Sequence, residues 1–232
     1  MRSIRPPYIG NSSIRISYSA EKNESSFFFL LIFLLYLNHI LSFFLEVCMR
    51  IETDRLLLRP FAETDAADIF EYLHTPEVNC FACMRLETME DARKDAAEKA
   101  GDPDLYLAIT VKETGKVIGE IFAHPEGTDP ESEVKDTWSP CWMLNPAYQG
   151  KGYMYEAASA YYDYLFSSMG ARRIYLYTED YNLSCQKLSE KLGMRKEGLF
   201  KEFVSFINDS EGRPIYENTY QYAILKKEWE SR

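Results

Sequence analysis

Two kinds of hydrophobic pattern run along this chain. From Phe27 to Leu45 the residues FFFLLIFLLYLNHILSFFL are almost all apolar, interrupted only by Asn38, His39 and Ser42. After Met49, shorter apolar stretches recur at the spacings of strands and helices. Arg55–Phe61 reads as a strand stopped by proline. Thr64-Asp65 opens a helix with Ala66, Ile69, Phe70 and Leu73 at helical spacing, and residues 88–100 form a polar, alanine-rich helix closed by Gly101. Leu105–Val111 and Val117–Phe122 make a hairpin around Glu113-Thr114-Gly115-Lys116, and an acidic loop runs from Glu126 to Asp136.

Trp138–Leu144 is the next strand, ended by Asn145-Pro146. Residues 153–169 form an amphipathic helix with Met154, Ala157, Ala158, Tyr161, Leu165 and Met169 near one face, closed by Gly170. Arg173–Tyr177 is a strand, Asn182 caps a helix that stops at Gly193, and strands near 197–207 and 215–225 flank Asp209-Ser210-Glu211-Gly212. The predicted order is β-α-α-β-β-β-α-β-α-β-β. The strands at 138–144 and 173–177 are joined through a full helix and should pair in parallel. The hairpins should be antiparallel, giving an α/β fold with a mixed sheet and helices packed on its faces.

Composition narrows the function classes. Of 232 residues, 46% are hydrophobic and 27% charged, which suits a globular core. The net charge of −10 argues against a nucleic-acid partner, which needs a basic footprint. Cys48, Cys80, Cys83, Cys141 and Cys185 make no disulfide framework, so a cytoplasmic location is expected. Cys80-Phe81-Ala82-Cys83 is a lone pair for which His74 and His124 supply no second half, and no metal is expected.

The first 48 residues stand apart. They carry Arg2, Arg5, Arg15 and Lys22 against Glu21, Glu24 and Glu46, while the remainder is acidic. Taken literally, the apolar run is long enough for a membrane anchor. Met49 would serve as a start, and Glu46-Val47 can be encoded by a purine-rich stretch of the kind that precedes bacterial start codons. The expected division is therefore a leader at 1–48, translated from upstream sequence or a genuine anchor, and a domain at 49–232.

The richest chemistry lies in Asn145-Pro146-Ala147-Tyr148-Gln149-Gly150-Lys151-Gly152-Tyr153-Met154-Tyr155-Glu156-Ala157. It joins a strand to an amphipathic helix through two glycines. Unpaired helix N-terminal amides and the helix dipole favour an anion there, and glycine allows its close approach. The spacing is neither a Walker loop nor GxGxxG, because Tyr155 occupies the third glycine position.

Gln149-Gly150-Lys151-Gly152-Tyr153-Met154 resembles the acyl-CoA signature Q/R-x-x-G-x-G/A of the GNAT superfamily of N-acyltransferases, departing at Met154. Thr53-Asp54-Arg55-Leu56-Leu57-Leu58-Arg59 resembles the first strand of its Rim-type branch. Asn182–Met194 (NLSCQKLSEKLGM) is similar to that branch's N-x-x-S…EKLGF helix, and Tyr220–Trp229 to its closing strand. The resemblance covers 49–232. It implies a GNAT-like fold with a mostly antiparallel sheet and one central parallel pair, and acetyl-CoA as co-substrate. The pyrophosphate would lie on the 149–154 amides and the pantetheine arm beside the backbone of Met143 and Leu144, with Asn182 as a further cofactor contact or simply a helix cap.

The same resemblance locates the proton-transfer groups less directly. The Rim-type serine falls at Cys185, and the tyrosine of other members falls at Ser189; either is a candidate acid for the leaving thiolate. Family glutamates align with Ser139 and Tyr175. Glu202 matches a Rim-type position and is the candidate base, provided strand alternation turns it to the cleft; water relaying the proton is the alternative. The expected reaction is direct acetyl transfer to a primary amine, on a protein N-terminus or a small molecule. A non-catalytic acyl-CoA-binding module is the rival reading. A homodimer is compatible with either, and a membrane partner follows only if residues 27–45 are an anchor.

Overall fold

The computed structural model describes residues 49–126 and 134–232. The leader 1–48 and the acidic-loop residues Asp129, Glu131 and Glu133 lie outside them. Eight strands form one sheet: β1 Ile51–Glu52, β2 Leu56–Pro60, β3 Tyr106–Val111, β4 Val117–Glu126, β5 Thr137–Leu144, β6 Arg173–Glu179, β7 Arg195–Asn208 and β8 Pro214–Leu225. Their spatial order is β1-β2-β3-β4-β5-β6-β8-β7. β5 and β6 are parallel and the other pairs antiparallel, as the connections predict. The helices are α1 Ala66–Leu73, α2 Met89–Ala100, α3 Tyr153–Ser167, α4 Leu183–Lys191 and the short α5 Lys226–Trp229. β1, α5 and a 3-10 segment at Asn79–Met84 were not foreseen from the pattern.

The sheet buries both faces. Leu56, Leu58, Ile109, Ile174 and Leu176 point to one side and pack with Tyr161, Tyr162 and Leu165 of α3. Ala108, Val117 and Met143 point to the other and meet Ile69 and Leu73 of α1 and Ala92 and Ala96 of α2. The period-2 alternation of these strands is what allows two separate apolar layers. Among the described residues no helix is long and apolar enough to cross a membrane.

Two residues shape the middle of the sheet. β4 passes so close to β5 that a Cβ on Gly119 would stand 2.2 Å from the carbonyl oxygen of Met143. On its other edge β5 pairs with β6 only at Thr137↔Arg173 and Trp138↔Ile174, although both strands continue. The Asn145 amide donates to the Ile118 carbonyl, so alternate backbone groups of β5 serve β4 and those between them turn towards β6. Pro140 belongs to the second set. It offers no N–H where the ladder to β6 would continue, and from there the strands diverge.

Candidate active site

The turn from β5 into α3 is built from two left-handed glycines, Gly150 at φ 72° and Gly152 at φ 81°. A side-chain-bearing residue in that conformation costs about 1–2 kcal/mol, so glycine is required there by the path of the chain. Gly152 is the N-cap of α3, and its carbonyl accepts the first intrahelical bond, from Glu156. The amides of Gly150, Lys151, Gly152, Tyr153, Met154 and Tyr155 donate to no group among the described residues. Together they make a concave run of N–H donors at the positive end of a fifteen-residue helix.

This turn is fastened to the start of β2. The Arg55 guanidinium donates to Glu156 Oε2 at 2.7 Å and to the Lys151 carbonyl at 3.1 Å. The Arg55 amide and the Thr53 hydroxyl both donate to Glu156 Oε1, at 2.8 and 2.6 Å. Burial acts to raise the Glu156 pKa, but these hydrogen bonds outweigh it and hold the carboxyl below its ordinary value. Gln149 Nε2 donates to Glu77 at 3.0 Å, and Lys151 Nζ turns back to the Ala147 carbonyl at 2.9 Å.

Beside the turn, a cleft of about 790 Å³ fills the opening between β5 and β6. Met143, Leu144, Gln149, Gly150, Gly152, Tyr153, Met154, Asn182 and Cys185 line it. The backbone of Leu144, with that of Trp142, faces the opening, whereas the Met143 amide and carbonyl turn to β4. Asn182 caps α4 by accepting from the Cys185 amide at 3.1 Å, and its side-chain amide lies 3.5 Å from Glu179 Oε2. It can cap the helix and still meet a ligand.

The comparisons with known proteins converge on this arrangement. A family model described as "Acetyltransferase (GNAT) domain" matches residues 55–195. The chain belongs to the GNAT acetyltransferases. It is 31% identical over 181 residues to the "Uncharacterized N-acetyltransferase YnaD" of Bacillus subtilis, covering 78% of this chain and 99% of the relative. Among solved structures, a GNAT-family acetyltransferase from Bacillus anthracis superposes with a TM-score of 0.66 at 28% identity, covering 77% of this chain and 99% of that one. The ribosomal-protein-S5-alanine acetyltransferase of Vibrio fischeri shares the fold, with a TM-score of 0.58 at 19% identity over 78% of this chain and 98% of its own. Like them, this chain is an N-acetyltransferase.

Within this GNAT site the expected proton-transfer residues fall in different places. Cys185 is at the cleft, with its thiol pushed up to about 11, chiefly by burial. Ser189 is fully buried, and its hydroxyl donates to the Cys185 carbonyl at 2.9 Å. It does not line the cleft. Nor does Glu202, because β7 does not keep the alternation assumed for it. Its register against β8 slips between Phe200 and Val204, Glu202 takes φ 48°, and its side chain is exposed. Ser139 lines the cleft, whereas the Tyr175 hydroxyl donates to Glu126 at 2.5 Å.

Of the two acidic residues lining the GNAT cleft, Glu77 and Glu179, the buried one is Glu179, at the end of β6 and 4% exposed. Ile174 and Leu176 point to the α3 side, so Tyr175, Tyr177 and Glu179 point to the α1 side. Cys80 comes to the same spot from the 3-10 segment. Burial first, and then the neighbouring Glu179 carboxylate, raise its thiol well above the ordinary value. Cys141 on β5 is likewise pushed up to about 12, chiefly by burial. Cys83, the other half of the C-x-x-C, is exposed.

Proposed function

We propose that residues 49–232 transfer an acetyl group from acetyl-CoA to a primary amine by direct attack. The observation that carries this reading is the run of six unpaired amides at the mouth of an opened β5–β6 pair. Those amides bind the pyrophosphate as donors to an anion. The Trp142 and Leu144 backbone groups guide the pantetheine arm along β5, as a strand would be guided. Gly152 admits the phosphate oxygens because no Cβ stands in their way. With the thioester held in the opening, the amine nitrogen attacks its carbonyl carbon, and the gain comes mainly from positioning. The free thiols of Cys80, Cys83, Cys141 and Cys185 suit work in a reducing cytosol.

The test uses the purified chain, calorimetric titration of coenzyme A and chromatographic product analysis over small amines and N-terminal peptides. Micromolar binding of coenzyme A, at least tenfold weaker in Gly152→Val, together with an acetylated amine, is expected. Coenzyme A bound without turnover of any amine would make the chain a binding module and overturn transfer.

A further inference from the structure

Beyond the cofactor's end, the cleft continues to the α1 side of the sheet, where its chemistry changes. Among the described residues, the charged ones lining the cleft are Glu77, Glu179 and Lys191. Glu77 is engaged with Gln149 beside the glycine turn, and Lys191 lies 4.2 Å over the Tyr155 ring. That leaves Glu179 as the charge of the far compartment. Directly across the β6–β8 ladder from it stands Thr219, on the same face of the sheet. Thr219 is 3% exposed, it lines the cleft, and its hydroxyl has no hydrogen-bond partner. A buried hydroxyl without a partner costs free energy unless a ligand satisfies it.

The walls around this pair are apolar: Phe81 and Met84 from the 3-10 segment, Tyr177 from β6, and Phe203 and Phe206 from β7. Tyr177 and Phe203 have ring centroids 5.5 Å apart. The segment 79–84 is tied across the top. The Asn79 side-chain amide donates to Glu217 Oε1 at 2.5 Å, the Tyr181 hydroxyl donates to Glu217 Oε2 at 3.2 Å, and the Asn79 N–H donates to the Tyr181 hydroxyl at 3.3 Å. These bonds hold the segment over one side of the compartment, which stays open to solvent where Tyr177 and Phe203 are half-exposed.

We propose that Glu179 and Thr219 receive the acceptor nitrogen, and that the acceptor is a small, singly charged amine carried on an apolar body the size of an aromatic ring. The proposal rests on the acetyl-transfer reading above. Among the described residues lining this compartment, Glu179 is the carboxylate left to meet an ammonium, since both Glu217 oxygens are already hydrogen-bonded. A polyamine's further ammonium groups would face the aromatic walls, which costs desolvation without return. The reaction balances with these residues. The ammonium first loses one proton to solvent. The neutral nitrogen's lone pair then forms the N–C bond to the acetyl carbonyl carbon, and the nitrogen becomes strongly acidic. Its extra proton passes to the Glu179 carboxylate while Thr219 Oγ accepts a remaining N–H. The C–S bond breaks with its electron pair going to sulfur, and the thiolate takes up the proton, giving amide and free thiol.

The test measures kcat and KM with the full chain and acetyl-CoA for 2-phenylethylamine, spermidine and an alanine-initiated peptide, following coenzyme A by chromatography. The expected kcat/KM for 2-phenylethylamine exceeds the other two by roughly a hundredfold, the factor for burying a phenylalanine-sized group. Phe203→Asp, at a half-exposed position, should shrink the preference over spermidine at least tenfold. Glu179→Gln should lower kcat by about 10²–10⁴ with coenzyme A affinity unchanged. Thr219→Val should raise KM for the amine and leave KM for acetyl-CoA alone, a split that a merely structural threonine would not produce. Preference for spermidine or the peptide overturns this inference while leaving acetyl transfer intact. Failure to acetylate any amine, with coenzyme A still bound, overturns both.

Discussion

Replacing Lys99 by methionine should destabilise the fold far more than a surface lysine would. The Lys99 ammonium sits on α2, buried, 2.5 Å from Glu120 Oε2 and 2.9 Å from Asp95 Oδ2. Glu120 is completely buried on β4 and otherwise receives only the Tyr72 hydroxyl, at 2.9 Å; its second oxygen has no partner. At 2.5 Å and an effective dielectric near 20, the gross attraction is roughly 7 kcal/mol, most of it offset by the desolvation of both ions. Lys99→Met keeps the aliphatic length but strands the carboxylate, which costs about 3–5 kcal/mol. Against a total stability of about 5–15 kcal/mol that is a large share. It corresponds to a fall in Tm of roughly 6–20 °C for a domain of this size. Urea unfolding followed by tryptophan fluorescence reads the loss. The double variant Lys99→Met/Glu120→Gln should recover at least half of it, because no charge is then left buried. Burial alone would depress the Lys99 pKa, but Glu120 and Asp95 more than reverse that and leave it raised above 10.5. The pair's contribution is therefore complete below about pH 10.5 and is lost as pH climbs through the higher folded value. A single-variant cost under about 1 kcal/mol, or a double variant no better than the sum of its parts, would refute the reasoning.

Cys185→Ala should keep kcat/KM within about threefold: a thiol held near 11 would give its proton uphill to a thiolate whose conjugate acid is near 8.5, so it is a poor acid. A hundredfold loss would restore it as the donor. Glu156→Gln should raise KM for acetyl-CoA several-fold at nearly constant kcat, since it loosens the Arg55 and Thr53 grip on the glycine turn. Because the fold lowers the Glu156 pKa, the stability this carboxylate adds is present above about pH 4.5 and lost as pH falls through its depressed value. Comparing the wild type with the Glu156→Gln variant in urea at pH 7 and at a series of pH values below 4.5 should show their difference shrink as pH falls. Gly119→Ala should lower stability by about 1–3 kcal/mol, since β4 and β5 must part to admit the methyl group. An unchanged urea midpoint would show that the strands yield freely.

What could be read from the residues and what could not divide along sequence distance. The glycine turn was legible because its geometry is local: φ at Gly150 and Gly152 and the unpaired amides follow from a strand, two glycines and a helix in succession. The same holds for Asn182, whose side chain caps a helix three residues on. The β5–β6 pairing followed from the crossover, and Pro140 could have marked where that pairing ends. The acceptor side failed for a physical reason. Glu202 depended on unbroken alternation along β7, and a slip of register carries a side chain off its expected face. Glu179 was hidden in Thr178-Glu179-Asp180, where an acidic run after an apparent strand end reads as loop, although β6 continues through it. Cys80 reaches the cleft on a segment held by Asn79, which bonds Glu217, 138 residues away, a contact with no local signature. On the reading proposed above, the grip on the thioester carrier is encoded in a dozen adjacent residues, whereas acceptor choice is assembled from four distant segments. Substitutions at Phe81, Glu179, Phe203 or Thr219 can therefore change the amine while the carrier's turn stays the same, and that is why belonging to the GNAT acetyltransferases specifies the donor but leaves the acceptor to be read from the pocket itself.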